Sequence, residues 1–128
     1  MIDVSRVPRD CGFETLPQFD RELEDRPELF SELAADIESF EMAWAKGIDQ
    51  PSLGQKFRFQ KVHDAECARR GILLYEIYIQ RGSYRAVVAW FQEGGPGYWV
   101  TVFKKQGNQQ SKVSLKTAGD RAVRRWRQ

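Results

Sequence analysis

The stretch YRAVVAWFQEGGPGYWVTVFKK, Tyr84 to Lys105, sets an arginine at the start of one alternating apolar run and two lysines at the end of the next. The glycine–proline segment between the runs predicts an antiparallel hairpin, so Arg85 and the Lys104/Lys105 pair should arrive at the same edge of a sheet. Like charges fixed opposite one another are unfavourable unless an anion lies between them. Phosphate is the natural anion, because guanidinium and ammonium groups both offer several donors to its oxygens. Side chains alternate along a strand, so only one of the two lysines can face the same way as Arg85.

Other chemistries have less to work with. His63 is the single histidine, the side-chain type that titrates near neutrality unaided. Nothing near it completes a triad, so it is expected as a strand-end or turn residue. Cys11 and Cys67 together with His63 supply too few Cys and His ligands for a closed zinc site, and a reduced pair of thiols is expected. The expected cofactor complement is therefore none, with no metal.

The charge is divided along the chain. Residues 1–50 carry 5 Lys and Arg against 13 Asp and Glu, a net −8, whereas residues 51–128 carry 15 against 5, a net +10. Three readings stand: the basic half meets a polyanion, it meets an acidic protein partner, or the two halves neutralise each other in the fold. The 128 residues, 41% hydrophobic and 30% charged, fit one globular domain spanning 1–128. No apolar run reaches the roughly 18 residues of a membrane span. The N-terminal MIDVSRVPRDCGF lacks a basic-then-apolar leader, so a cytoplasmic location is expected.

Several elements must position these groups. Phe19 and Leu23 mark a short acidic helix over about 17–25; Leu29, Leu33, Ile37, Phe40 and Trp44 mark a longer one that Gly47 stops. The two form a helical hairpin. From KFRFQKV onward the period falls to two. That segment, ILLYEIYI, YRAVVAWFQ and YWVTVFKK read as four strands of an antiparallel meander joined by compact turns. Residues 109–128 return to helical spacing and carry Lys112, Lys116, Arg121, Arg124, Arg125 and Arg127, with Gly119 in the middle of the segment. The fold class is thus α+β: a helical hairpin on a meander of about four strands, a basic C-terminal helix, and an arm or edge strand within residues 1–13.

The succession LLYEIYIQRGSYRAVVAWF, YWVTVFKKQGNQQ and AGDR resembles the RelE/HigB superfamily of toxin ribonucleases, particularly its phage-associated HigB-like branch. The likeness covers about half the chain. It implies a RelE-like fold and a metal-independent endoribonuclease that cleaves messenger RNA at the ribosome by 2′-hydroxyl attack on the adjacent phosphorus. It also implies restraint by a cognate antitoxin, a small helix-turn-helix DNA-binding protein. Whether it docks on the basic face or on the acidic helical hairpin of residues 14–46 is left open by the sequence.

Carried across residue by residue, the resemblance makes Arg85 the contact to the scissile phosphate. Lys104 and Lys105 become the basic groups presented to RNA. Glu76 and Tyr78 share one strand face, where a carboxylate base beside a tyrosine is feasible; the alternative is a glutamate that merely supports an arginine. Arg121 matches the superfamily's Ala-x-x-Arg arginine. With Lys112, Lys116 and Arg124 on the basic helix, Arg81 and Tyr84 at the hairpin and Trp99 as a stacking surface, it completes the expected RNA contacts. Lys61, Arg69 and Arg70 either extend this surface or are solvated loop charges. The histidine or tyrosine that the superfamily places after its last helix is replaced by RRWRQ. The general acid is therefore unassigned, and a non-catalytic RNA-binding protein on the same scaffold is the competing function.

Overall fold

The computed structural model describes residues 12–47, 57–105 and 107–128. Five strands form one sheet in the order β1-β5-β4-β3-β2: β1 Phe13–Thr15, β2 Phe59–Lys61, β3 Ile72–Ile79, β4 Tyr84–Phe91 and β5 Gly97–Lys104. The four strands β2 to β5 are antiparallel, as their alternation predicts, whereas β1 lies parallel to β5 at the edge. The edge strand thus sits at 13–15; residues 1–11, where most of the expected arm falls, lie outside the described residues. β2 is shorter than the sequence suggests. Arg58 has a φ of 47°, a left-handed conformation that breaks the strand before Phe59.

Helices cover both faces of the sheet. α1, Pro17–Glu24, opens on a proline whose missing N–H costs nothing there. α2 runs from Phe30 to Ala45 and ends before Gly47. Their apolar stripe, Phe19, Leu23, Leu33, Ile37, Phe40 and Trp44, packs on Leu73, Tyr75, Ile77, Trp90, Trp99 and neighbours. Rings dominate this layer: Trp44 stacks on Trp90 at 4.7 Å and Phe59 on Tyr75 at 4.4 Å. A Cβ at Gly97 would come within 2.7 Å of the Trp90 indole nitrogen, so glycine is what lets β5 approach the rings.

The other face carries Leu74, Val87, Ala89, Val100 and Phe103 beneath α4, Asn108–Trp126, which contributes Ala118, Ala122 and Val123. A short helix missed by periodicity, α3 Ala65–Arg69, joins β2 to β3. The Asp64 carboxylate caps it by accepting from the Cys67 N–H at 2.9 Å. Gly119 gains its reason here. A Cβ would stand 2.3 Å from Asp64 Oδ2, so glycine lets α4 close on α3. The Cys67 thiol donates to the Gly119 carbonyl at 3.6 Å, and burial, with Asp64 beside it, pushes that thiol up to about 12. Cys67 is a packed, unreactive thiol.

Candidate functional site

α4 covers only part of its face. At the uncovered end, where β3 and β4 turn into each other, the sheet presents Glu76, Tyr78 and Arg85 toward a depression of about 290 Å³. The register explains the grouping: Tyr78 lies opposite Arg85 and Glu76 opposite Val87, on one side of the sheet. Gln60 of β2, Lys105, Lys112 and Leu115 complete the lining.

Arg85 is only 7% exposed yet makes no ion pair with any described residue. Its Nη1 donates to the carbonyls of Gly82 and of Tyr84, the latter at 3.3 Å, and its guanidinium lies 3.5 Å from the centroid of the Tyr78 ring. Arg58 meets the same ring at 4.7 Å, so two cations share one aromatic side chain. Glu76, also 7% exposed, accepts from Gln60 Nε2 through Oε1. No described side-chain polar atom is both buried and unsatisfied. Nε and Nη2 of Arg85 and Oε2 of Glu76 have no hydrogen-bond partner among the described residues, and both side chains line the depression.

The turn that places Arg85 is itself held. Gln80 and Arg81 have φ values of 50° and 55°, two consecutive left-handed residues without glycine's freedom, before Gly82 at 89°. Asp36 of α2 secures them, with Oδ2 accepting from the Gln80 N–H at 3.0 Å and from Gln80 Nε2 at 3.1 Å. The same turn reaches β5, where the Lys105 N–H donates to the Ser83 carbonyl at 2.8 Å. One loop thus orients Arg85 and anchors the chain at Lys105. Neither Asp36 nor Arg58 stands out in the sequence, since both act across long separations.

The other expected residues divide. Lys105 lines the Arg85 depression, whereas Lys104 pairs with Tyr84 in the register and lies on the helical-hairpin side, exposed. Tyr84 is a core residue, with Arg26 5.6 Å from its ring centroid. Trp99 is fully buried, donating its indole N–H to Glu41 Oε2 at 2.8 Å, so it has no face for a base. The expectation of RNA contact is corrected for both aromatics. Arg121 is corrected as well: it donates to Glu22 and to the Val100 carbonyl, both at 2.9 Å, closing the edge of β5 beyond β1. Arg124 lies with Arg125 in a separate depression against Glu14 and Tyr98. Arg81 lines a neighbouring hollow with Arg58 and Tyr78. Arg69 and Arg70 pair with Glu66, and Arg70 also packs on Trp126.

The arrangement can bind one phosphate deeply and others along its rim. The Arg85 guanidinium, held by backbone carbonyls, lines the depression with two lysines and the Glu76 carboxylate. Among the described residues there is no helix long and apolar enough to cross a membrane.

No protein-family model matches the chain, and no curated protein matches it. Among solved structures it is similar to a chain of the archaeal RelE-RelB complex from Pyrococcus horikoshii OT3, with a TM-score of 0.49 and 15% identity over 76% of this chain and 96% of that one.

Proposed function

We propose that this protein is the toxin of a toxin–antitoxin pair, a ribonuclease of the RelE/HigB kind that cuts messenger RNA on the ribosome. One observation carries the proposal. Arg85 and Glu76 are buried charges of opposite sign in one depression, yet each is held by a neutral partner rather than by the other. A purely structural pair would close on itself, because an unpaired buried charge is costly. Keeping the two apart while both line one depression suits a ligand that takes both.

In the proposed reaction Glu76 accepts the proton of the RNA 2′-hydroxyl. The 2′-oxygen bonds to phosphorus as the bond to the 5′-oxygen breaks, giving a cyclic phosphate and a 5′-hydroxyl. Arg85 stabilises the charge that builds on the phosphate oxygens, and the Lys105 ammonium donates the proton that the leaving oxygen needs. Tyr78, fixed between Arg85 and Arg58, keeps the guanidinium in its plane. An antitoxin would restrain the protein by covering this basic, half-open face.

The test is induced expression of wild type and Arg85→Ala in bacteria, with messenger RNA ends mapped. Growth arrest and new 5′-hydroxyl ends with wild type alone are expected; identical growth and ends for the two would overturn the reading. The lining of the Arg85 depression contains no histidine, and that favours a second reading, a non-catalytic RNA-binding protein. Retained RNA binding by wild type without any cleavage would select it.

A further inference from the structure

A second depression, of about 380 Å³, opens directly from the Arg85 site. The two share Gln60, Glu76, Lys112 and Leu115, so a ligand can pass from one to the other over the Gln60–Lys112 saddle. Beyond it, the walls differ in chemistry. On the α4 side Lys112 and Lys116 are exposed, one turn apart on one helix face. Opposite them, past the end of β2, His63 is exposed beside Lys61 and makes no hydrogen bond or ion pair with any described residue.

Glu76 and Asp64, the two acids of this depression, each accept one hydrogen bond. Glu76 is held by Gln60, and Asp64 caps α3 while packing on Gly119. Lys116 pairs with Asp120 at 3.3 Å, but both are largely exposed, and such a pair is worth little against a multivalent anion. What remains is a cross-section with ammonium groups on one wall and an unoccupied aromatic ring on the other. That matches a nucleotide, phosphate to one side and base to the other.

We propose that the His63 depression is a nucleotide subsite, in which Lys112 and Lys116 hold the phosphate flanking the scissile bond and His63 stacks on the adjoining base. The proposal rests on the ribonuclease reading above. The strand must be single, because a base offers its face to a side chain only when it is unstacked and unpaired. His63 thereby gains a role that needs no triad, and the exposed side of α4 becomes the track for the RNA.

The test uses uncleavable 2′-O-methyl RNA, a dinucleotide and a hexanucleotide, with affinities measured for wild type, Arg85→Ala and the double variant His63→Ala/Lys116→Ala. The double variant should bind the hexanucleotide about tenfold more weakly, the scale of one lost base stack, and the dinucleotide unchanged. A hexanucleotide with abasic positions should lose about as much on wild type and nothing further on the double variant. Equal hexanucleotide affinity for wild type and the double variant, or equal losses at both lengths, overturns the subsite. Arg85→Ala should weaken both lengths. If wild type binds neither RNA better than Arg85→Ala does, the ribonuclease reading itself falls.

Discussion

The two faces of the sheet use the same strands for opposite ends. One face, formed by Leu73, Tyr75, Ile77, Ala86, Val88, Trp90 and Trp99, is sealed by two helices and filled with rings. One residue out of phase, the same strands carry Leu74, Val87 and Ala89 beneath α4, then Glu76, Tyr78 and Arg85 beyond its cover. Folding uses the first face fully, while the second retains buried charges that form no ion pair among the described residues. Charge follows the same division. The acidic α1 and α2 lie on the ring-filled side and the basic α4 on the other, and among the described residues one ion pair, Glu22 with Arg121, links the acidic and basic halves. The halves therefore do not neutralise each other across the fold. A basic surface is left available.

If the division is real, stability and activity should come apart by face. Trp99→Ala should cost about 3–5 kcal/mol, as large ring deletions in cores do, with cleavage per folded molecule unchanged; urea denaturation paired with a cleavage assay would show it. Arg85→Met should do the reverse. Cleavage should fall by about 10²–10³, the effect of losing a preorganised donor, while stability holds or rises because an unpaired buried charge is gone. A large stability loss in Arg85→Met would mean that the open face is structural after all.

Asp36→Ala tests how the sealed face reaches the open one. Asp36 belongs to α2, yet its two hydrogen bonds fix the left-handed turn whose Gly82 carbonyl holds Arg85. Losing them should loosen the guanidinium and lower cleavage by about tenfold, of the order of one or two hydrogen bonds, with substrate affinity reduced in parallel and a smaller change in melting temperature. Unchanged cleavage and affinity would show that Arg85 holds its place without the turn.

The sequence was legible where a pattern was local. β3, β4 and β5 fall where alternation predicts, and α1 and α2 follow their apolar stripes. What escaped was set by partners distant in the chain. β1 has three residues and gains its hydrogen bonds from the edge of β5; α3 has five and packs through Asp64 and Cys67 on Gly119 of α4. The misplacement of Trp99 has a sharper cause. Counting by twos from Phe103 puts Trp99 on the Arg85 side, but the register shifts between Val87 and Val88, so Thr101 and Trp99 face consecutive residues of β4. That bulge turns Trp99 into the core beside Val102. Among the site residues Glu76, Tyr78 and Arg85 were readable from strand parity. Which lysine joined them depended on where β5 stopped, and Arg58 joined through a backbone reversal that no periodicity announces.

The smallest effect belongs to the one described polar contact that the sealed face makes with a tryptophan indole. Glu41 accepts from Trp99, and its carboxyl is raised above the ordinary 4.5, chiefly by burial and further by Glu38, with the indole hydrogen bond opposing. An acid whose folded value is raised contributes most below its unfolded value, and that contribution is lost as pH rises through the folded value. At neutral pH the charged Glu41 therefore works against folding. Glu41→Gln keeps an oxygen for the indole N–H and removes the charge, so it should be more stable than wild type at pH 7 by less than about 1 kcal/mol. The gain should vanish below about pH 4, where both side chains are neutral. Urea midpoints at the two pH values decide it: a variant less stable at pH 7 would show that the charged hydrogen bond to Trp99 outweighs desolvation, and that the sealed face, like the open one, depends on charge.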